Sequence, residues 1–136
     1  MKYLLDTCTV SDFVKGESGV LAAVKATRPQ QIAISVVTQM EIEYGLLLNA
    51  ARAKKLAPLL DAFLASIHIL PFEEVDAKAC ASVRAALREQ GQPIGPYDSQ
   101  IAGTALARGL VVVTSNLGEF QRVGGLRVEN WRDRPG

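Results

Sequence analysis

The sequence predicts an α/β fold in which a parallel sheet is covered by helices on both faces. Three observations carry this. Short apolar runs alternate with helical stretches along the whole chain, the order that builds parallel sheets. Several runs, such as QIAISVV and GLVVVT, lack the polar alternate positions of a strand with one wet face. Acidic or amide residues recur near the ends of these runs, where ligands bind to open parallel sheets.

The elements follow in order. Lys2 to Asp6 reads as a buried strand. Ser11 to Lys15 and Val20 to Ala26 read as short helices separated by Gly16 and Gly19, the second broken by Arg28-Pro29. Ile32 to Val37 is apolar and β-branched, hence a strand. Thr38 to about Lys54 is expected as a helix with Ile42, Leu46 and Leu47 on one face. Leu56 to Ala65 follows as a second helix, with Pro58 in its first turn. Ile67 to Leu70 is a strand stopped by Pro71, and Asp76 to Gln90 an Ala-rich helix ended by Gly91. GQPIGP is a loop, and Tyr97 to Arg108 is a helix ended by Gly109. Leu110 to Thr114 is the most apolar strand, Leu117 to Gln121 a helical turn, and Leu126 to Glu129 a last strand.

At 136 residues the chain is long enough for one core, so 1–131 is expected as a single domain and 132–136 as a flexible tail. A hydrophobic share of 49% with 21% charged residues is ordinary for a soluble globular domain. The net charge of +1 argues against a protein that binds nucleic acid with its whole surface, but leaves a local basic patch open. Cys8 and Cys80 form no C-x-x-C pair, which suggests neither a disulfide framework nor a zinc site and fits a cytoplasmic protein. The opening MKYLLDT is too short an apolar run for a signal peptide or a membrane span.

The chemistry is expected at Asp6, Glu41, Asp98 and Asn116. Carboxylates gathered at one sheet edge repel, each pair by roughly 4 kcal/mol at about 4 Å and an effective dielectric of about 20. Protons or a hard cation must compensate, and oxygen-only ligands point to Mg²⁺ or Mn²⁺ rather than zinc. Each position also has a purely structural reading. Thr38-Gln39-Met40-Glu41 matches a capping box, and Asn116 with Glu119 matches another. Asp6 reads equally as a cap for the next helix, and Asp98 as a first-turn charge favoured by the helix dipole. Asp98 nevertheless lies between apolar segments with few bases nearby, and a buried charge needs a partner. Asp12 reads as a helix-start charge, and Thr7 and Thr114 as hydroxyls beside the site that order water or satisfy backbone. His68 and Trp131 read as structural, and Cys8 lacks the base that thiol catalysis needs. Neither a P-loop nor G-x-G-x-x-G occurs.

Four segments together, LLDTCTVSDF, ISVVTQMEIEYGLL, IGPYDSQIAGTALARGL and VVTSNLGEFQRVGGLRVENW, resemble the PIN-domain ribonucleases, in particular the VapC-type toxins of toxin–antitoxin pairs. The resemblance covers essentially the whole chain. It implies a three-layer α/β/α fold and a site in which Asp6, Glu41 and Asp98 bind metal, with Asn116 at a fourth position that is often aspartate. It also implies a homodimer and a cognate antitoxin that blocks the site with a basic side chain.

The expected reaction is hydrolysis of RNA phosphodiesters, with water activated by one or two Mg²⁺ or Mn²⁺ ions, and with inhibition of translation or growth as the result. Lys15, Arg122, Arg127, Arg132 and Arg134 are candidates to rim the site for RNA. The alternative is a catalytically silent module that binds RNA or a protein. Leu46, Leu47, Leu48, Leu56, Leu59, Leu60 and Phe63 either exceed what one small core buries, which favours a dimer, or pack two helices together.

Overall fold

A computed structural model describes residues 1–133. Its strands are β1 (Tyr3–Leu5), β2 (Ile32–Ser35), β3 (His68–Leu70), β4 (Val111–Val113) and β5 (Val128–Glu129). They form one sheet in the order β3-β2-β1-β4-β5, and every neighbouring pair is parallel. Tyr3 stands opposite Ile32 on one side and Val111 on the other. The helices are α1 (Thr7–Lys15), α2 (Ser18–Ala26), α3 (Val36–Leu47), α4 (Ala50–Ser66), α5 (Glu74–Glu89), α6 (Pro96–Arg108) and the short α7 (Leu117–Phe120).

The period-two side-chain alternation of strands divides the core into two layers. Tyr3, Leu5, Ile32, Ile34, Val111 and Val113 pack against Val10 and Phe13 of α1, Val20 of α2, and Leu60 and Phe63 of α4. On the other face, Leu4, Ala33 and Val112 pack against Val83 and Leu87 of α5, Ile101 and Ala105 of α6, and Phe120 of α7. The three-layer α/β/α arrangement follows, because strands buried on both faces leave no side for water. Among the described residues, no helix is long and apolar enough to cross a membrane.

Two close approaches depend on glycine. A Cβ on Gly103 of α6 would lie 2.6 Å from the Cys80 amide nitrogen, so α5 and α6 meet backbone to backbone there. A Cβ on Gly19 would lie 2.4 Å from the Arg132 carbonyl oxygen, where the C-terminal segment crosses the start of α2.

Several boundaries differ from those expected. α3 starts at Val36, capped by Ser35, whose Oγ accepts from the Thr38 amide at 3.2 Å. Thr38 is therefore inside the helix, and the capping box proposed for Thr38 and Glu41 does not form. Val36 and Val37 look like strand residues, but Ser35 is an earlier and equally good cap. The break between α3 and α4 falls at Leu48-Asn49, with the Asn49 side chain accepting from the Arg52 amide at 3.1 Å. Pro58 is consequently in the interior of α4 rather than in a first turn, and the Lys54 carbonyl loses its usual donor.

The end of the chain is partly tied down. Trp131 is buried edge-on against Tyr3, with ring centroids 5.1 Å apart. Arg132 donates twice to Asp12, from Nε and Nη2, at 2.7 Å each. The tail expected over 132–136 thus begins with an anchored residue, and positions 134–136 lie outside the described residues.

Candidate active site

The chain leaves β1 for β2 on one side and returns later as β4 on the other, so the strand order reverses at β1. A crevice opens beyond the carboxyl ends of such strands. Asp6 is the first residue after β1 and is only 3% exposed. It is the N-cap of α1, as one reading of the sequence expected, with Oδ1 accepting from the Thr9 amide at 2.9 Å. Its Oδ2 accepts a short hydrogen bond from the hydroxyl of Thr114, the residue that follows β4. Burial pushes the Asp6 carboxyl above its ordinary range, and the hydrogen bonds from Thr114 and Thr9 oppose that only in part.

Thr114 links this half of the site to the next. Its Oγ1 also accepts from the Asn116 amide at 2.9 Å. The Asn116 side chain caps no backbone group; its Nδ2 donates to Glu119 Oε2 at 2.9 Å. The second expected capping box is therefore replaced by a side-chain contact, and the Asn116 carbonyl oxygen stays available. Glu119 in turn shares a proton with Asp98, which opens α6. Burial first, and then Glu119, raise the Asp98 carboxyl to about 7, and the charges of Asp6 and Glu41 add to this. Glu119 moves the opposite way, held down first by its hydrogen bond with Asp98. Hydrogen bonds thus run from Asp6 through Thr114, Asn116 and Glu119 to Asp98.

Glu41 is in the second turn of α3, where its Oε1 accepts from the Thr7 hydroxyl at 2.7 Å. Thr7 and Glu41 stand at one end of a groove of about 240 Å³ between α1, α3 and α4, with Val10, Ile42, Leu46 and Leu60 along it and Lys15 and Arg52 among its charged residues. The structure therefore brings Asp6, Glu41 and Asp98 within electrostatic reach of one another, and Asn116 joins them through Thr114. Cys8 lies among the same carboxylates. Burial and the charges of Asp6, Asp98, Asp12 and Glu41 raise its thiol, against any role as a thiolate.

Among the described residues, no three acidic, thiol or imidazole groups converge tightly enough to form a ready-made metal cage. The donor set still suits a hard divalent cation. Magnesium is commonly held by one or two carboxylates, keeping waters for its other positions. Among the described residues, the charged groups that act on Asp98 and Asp6 are acidic.

Two contributions were underweighted in the sequence. Glu119 reads there as a capping partner, and only the fold shows its carboxyl against Asp98. Asp12 reads as a helix-start charge, yet it is buried, bound to Arg132 and close enough to raise Asp6. Of the basic candidates, Lys15 stands in the groove with Glu41, and Arg122 donates to the Pro93 carbonyl at 3.1 Å beside Glu119. Arg127 bonds the Gly109 carbonyl, at the edge of the sheet away from the site. Arg132 is committed to Asp12, and Arg134 lies outside the described residues.

The sheet is all-parallel, and acidic or amide residues lie beyond the carboxyl ends of β1 and β4. The model of the PIN domain matches residues 3–126, and the chain belongs to this family. Within it the similarity is to VapC proteins. The tRNA(fMet)-specific endonuclease VapC of Shigella flexneri is 37% identical over 131 residues, spanning 96% of this chain and 98% of the relative. Ribonuclease VapC2 of Haemophilus influenzae (strain ATCC 51907 / DSM 11121 / KW20 / Rd) is 33% identical over the same shares. The crystal structure of DNA-bound VapBC from Salmonella typhimurium superposes with a TM-score of 0.88 at 35% identity, covering 96% of this chain and 98% of that one.

Proposed function

We propose that this chain is an endoribonuclease that acts as the toxin of a toxin–antitoxin pair, with Asp6, Glu41, Asp98 and Asn116 as its catalytic residues. The observation that carries this reading is the run of hydrogen bonds from Asp6 to Asp98, which gathers carboxyl groups at a sheet switch point and raises two of them. Each such residue alone has an ordinary structural explanation; what favours chemistry here is that they are together and that their carboxyl groups are perturbed. The VapC names of the relatives support RNA as substrate, and that of the Shigella flexneri protein makes a transfer RNA the first one to test.

In this reading Asp6, Glu41 and Asp98 would hold Mg²⁺ or Mn²⁺. When bound, such an ion offsets charge on the phosphate and promotes ionisation of water. The residues of the chain prepare the place. The Thr9 amide and Thr114 hydroxyl fix both oxygens of Asp6, and Thr7 fixes one oxygen of Glu41, so these carboxylates need little reorganisation. Asp98 and Glu119 hold a proton between them that cation binding would displace. The amide of Asn116 turns its NH₂ towards Glu119 and leaves a carbonyl oxygen for a water or a substrate hydroxyl.

Two partners belong to the same reading. VapBC complexes among the structural neighbours support an antitoxin, and the groove ending at Thr7 and Glu41 offers it an apolar floor leading to the acidic site. A homodimer is supported by Met40, Tyr44, Leu47 and Leu48, an exposed apolar stripe of which Leu47 is 83% and Leu48 70% accessible. Leu60 and Phe63, by contrast, are core residues of this chain.

The test uses purified protein free of antitoxin and a pool of transfer RNA and structured RNA, with Mg²⁺, Mn²⁺ or EDTA. Cutting by the parent with either metal, but not in EDTA and not by Asp98→Asn, is expected. Folded parent protein that binds RNA and cuts nothing in any condition would instead make it a silent binding module.

A further inference from the structure

A second basic feature lies on the other face of the sheet, where the sequence drew no attention. Arg84 and Arg88 stand one turn apart on α5, both exposed. Among the described residues neither makes an ion pair or a side-chain hydrogen bond, whereas Lys78 on the same helix is paired with Glu74 at 3.2 Å and Arg108 is paired with Asp76. The two free guanidiniums line a groove of about 640 Å³ with Leu87, Pro93, Ile94 and Ser99. Ser99 immediately follows Asp98, so the far wall of this groove is the helical turn that carries the acidic site.

The groove is built rather than incidental. Arg122 donates to the Pro93 carbonyl at 3.1 Å, and the Ser99 amide and hydroxyl both donate to the Gly95 carbonyl, at 2.9 and 3.0 Å. These bonds hold the loop between α5 and α6 in place. We propose that this groove seats the RNA strand as it leaves the acidic site, with Arg84 and Arg88 against successive phosphates and a base against Pro93 and Ile94. This rests on the endoribonuclease reading above. Charge selects the occupant. A carboxylate site repels a polyanion and the chain's net charge is only +1, so attraction needs cations near the site, and Arg84 and Arg88 are uncommitted among the described residues. Arginine forks match phosphate oxygens, and an apolar wall stacks bases without regard to sequence. The volume lies within the range of about 300–1,000 Å³ typical of ligand sites.

The experiment measures binding apart from cutting. A fluorescein-labelled single-stranded RNA dodecamer is titrated in EDTA at several salt concentrations. Three proteins are compared: the parent, R84Q/R88Q, and a K25Q/R28Q control that removes the same charge from the end of α2 and the loop after it, on the opposite face. The expected result for R84Q/R88Q is about a ten-fold weaker Kd near 100 mM salt and a salt slope smaller by about 1.4, since each phosphate contact on a single strand contributes about 0.7. K25Q/R28Q should keep the parent slope. In cleavage assays with Mg²⁺, R84Q/R88Q should raise KM and leave kcat unchanged. A parent that binds and cuts RNA while R84Q/R88Q retains its slope overturns the groove alone. A parent that neither binds nor cuts RNA overturns the endoribonuclease reading and the groove with it. A double variant that keeps RNA binding but loses affinity for an antitoxin assigns the groove to a protein and overturns the proposal.

Discussion

Helix α6 has an acidic cluster at each end, and the two behave in opposite ways. At its C-terminal end, Asp76 is fully buried and receives Arg108 through Nε at 3.1 Å and Nη2 at 2.8 Å, with Glu73 and the Pro71 carbonyl on the same guanidinium. Burial pushes Asp76 upward, but the bonds from Arg108 and the Glu73 amide outweigh it and hold the carboxyl below its ordinary range. At the N-terminal end, Asp98 meets Glu119, Asp6 and Glu41 and rises to about 7. Both carboxylates are drawn in by the same helix. The difference is an arginine. The cluster with the arginine ties α5 to α6, while the cluster at Asp98 keeps a carboxyl group raised by burial and by its acidic neighbours.

The most severe test removes the carboxyl group of Asp98, the proposed ligand. Asp98→Asn keeps the shape, and cleavage of RNA should fall by about 10²–10³-fold, the scale for losing one preorganised electrostatic group. Parent-like cutting would place the chemistry elsewhere. Next comes the compensated end. Arg108→Ala strands the buried Asp76, and since Arg108 keeps about a fifth of its side chain in water the loss should be about 2–3 kcal/mol in urea unfolding, with cleavage per folded molecule retained. Unchanged stability would make that cluster ornamental.

A smaller effect is expected at the bridge between the two halves of the site. Thr114→Val removes the donor to Asp6 and the acceptor for the Asn116 amide. About 1–2 kcal/mol of stability and roughly 10–100-fold of activity should be lost, as for other groups that orient a catalytic carboxylate. An activity loss no greater than the loss of folded protein would reduce Thr114 to a packing role.

The subtlest test is pH. Asp98 has a folded-state pKa above its unfolded value, so in metal-free buffer the folded protein binds the extra proton between about pH 4 and 7. Its contribution therefore falls as pH rises through that window and levels off above 7. Asp98→Asn should abolish this slope and be more stable at pH 8 by roughly 1 kcal/mol after solvent screening. Asp76 has the opposite sign: its contribution is present above its unfolded pKa near 4 and is lost as pH falls below it. Melting curves from pH 3 to 8 in EDTA separate the two. An Asp98→Asn profile parallel to that of the parent would show that Asp98 is not the strained group.

Much of this was legible without coordinates. The alternation of apolar runs and helices specified a covered parallel sheet, because few other arrangements bury strands lacking a polar stripe. Asp6, Asp98 and Asn116 were legible because they interrupt or follow apolar segments. Helix starts were less legible. Ser35 and Thr38 are both competent caps three residues apart, and the choice between them depends on where β2 ends against its neighbours. Pro58 favours a first turn by local rule, but packing of Leu60 and Phe63 into the core keeps α4 continuous across it.

Side-chain identity and local periodicity were enough to give the fold class and the family to which the chain belongs, and to nominate the acidic and amide residues of the candidate site. Tertiary structure alone decided their relations. It placed Thr114 on Asp6 across 108 residues of chain, set Glu119 against Asp98, gave Arg108 to Asp76 and Arg132 to Asp12, and left Arg84 and Arg88 without partners among the described residues. The physical reason is that the charge state of a carboxyl group, and so its use, depends on which groups surround it in space, and spacing along the chain does not encode that.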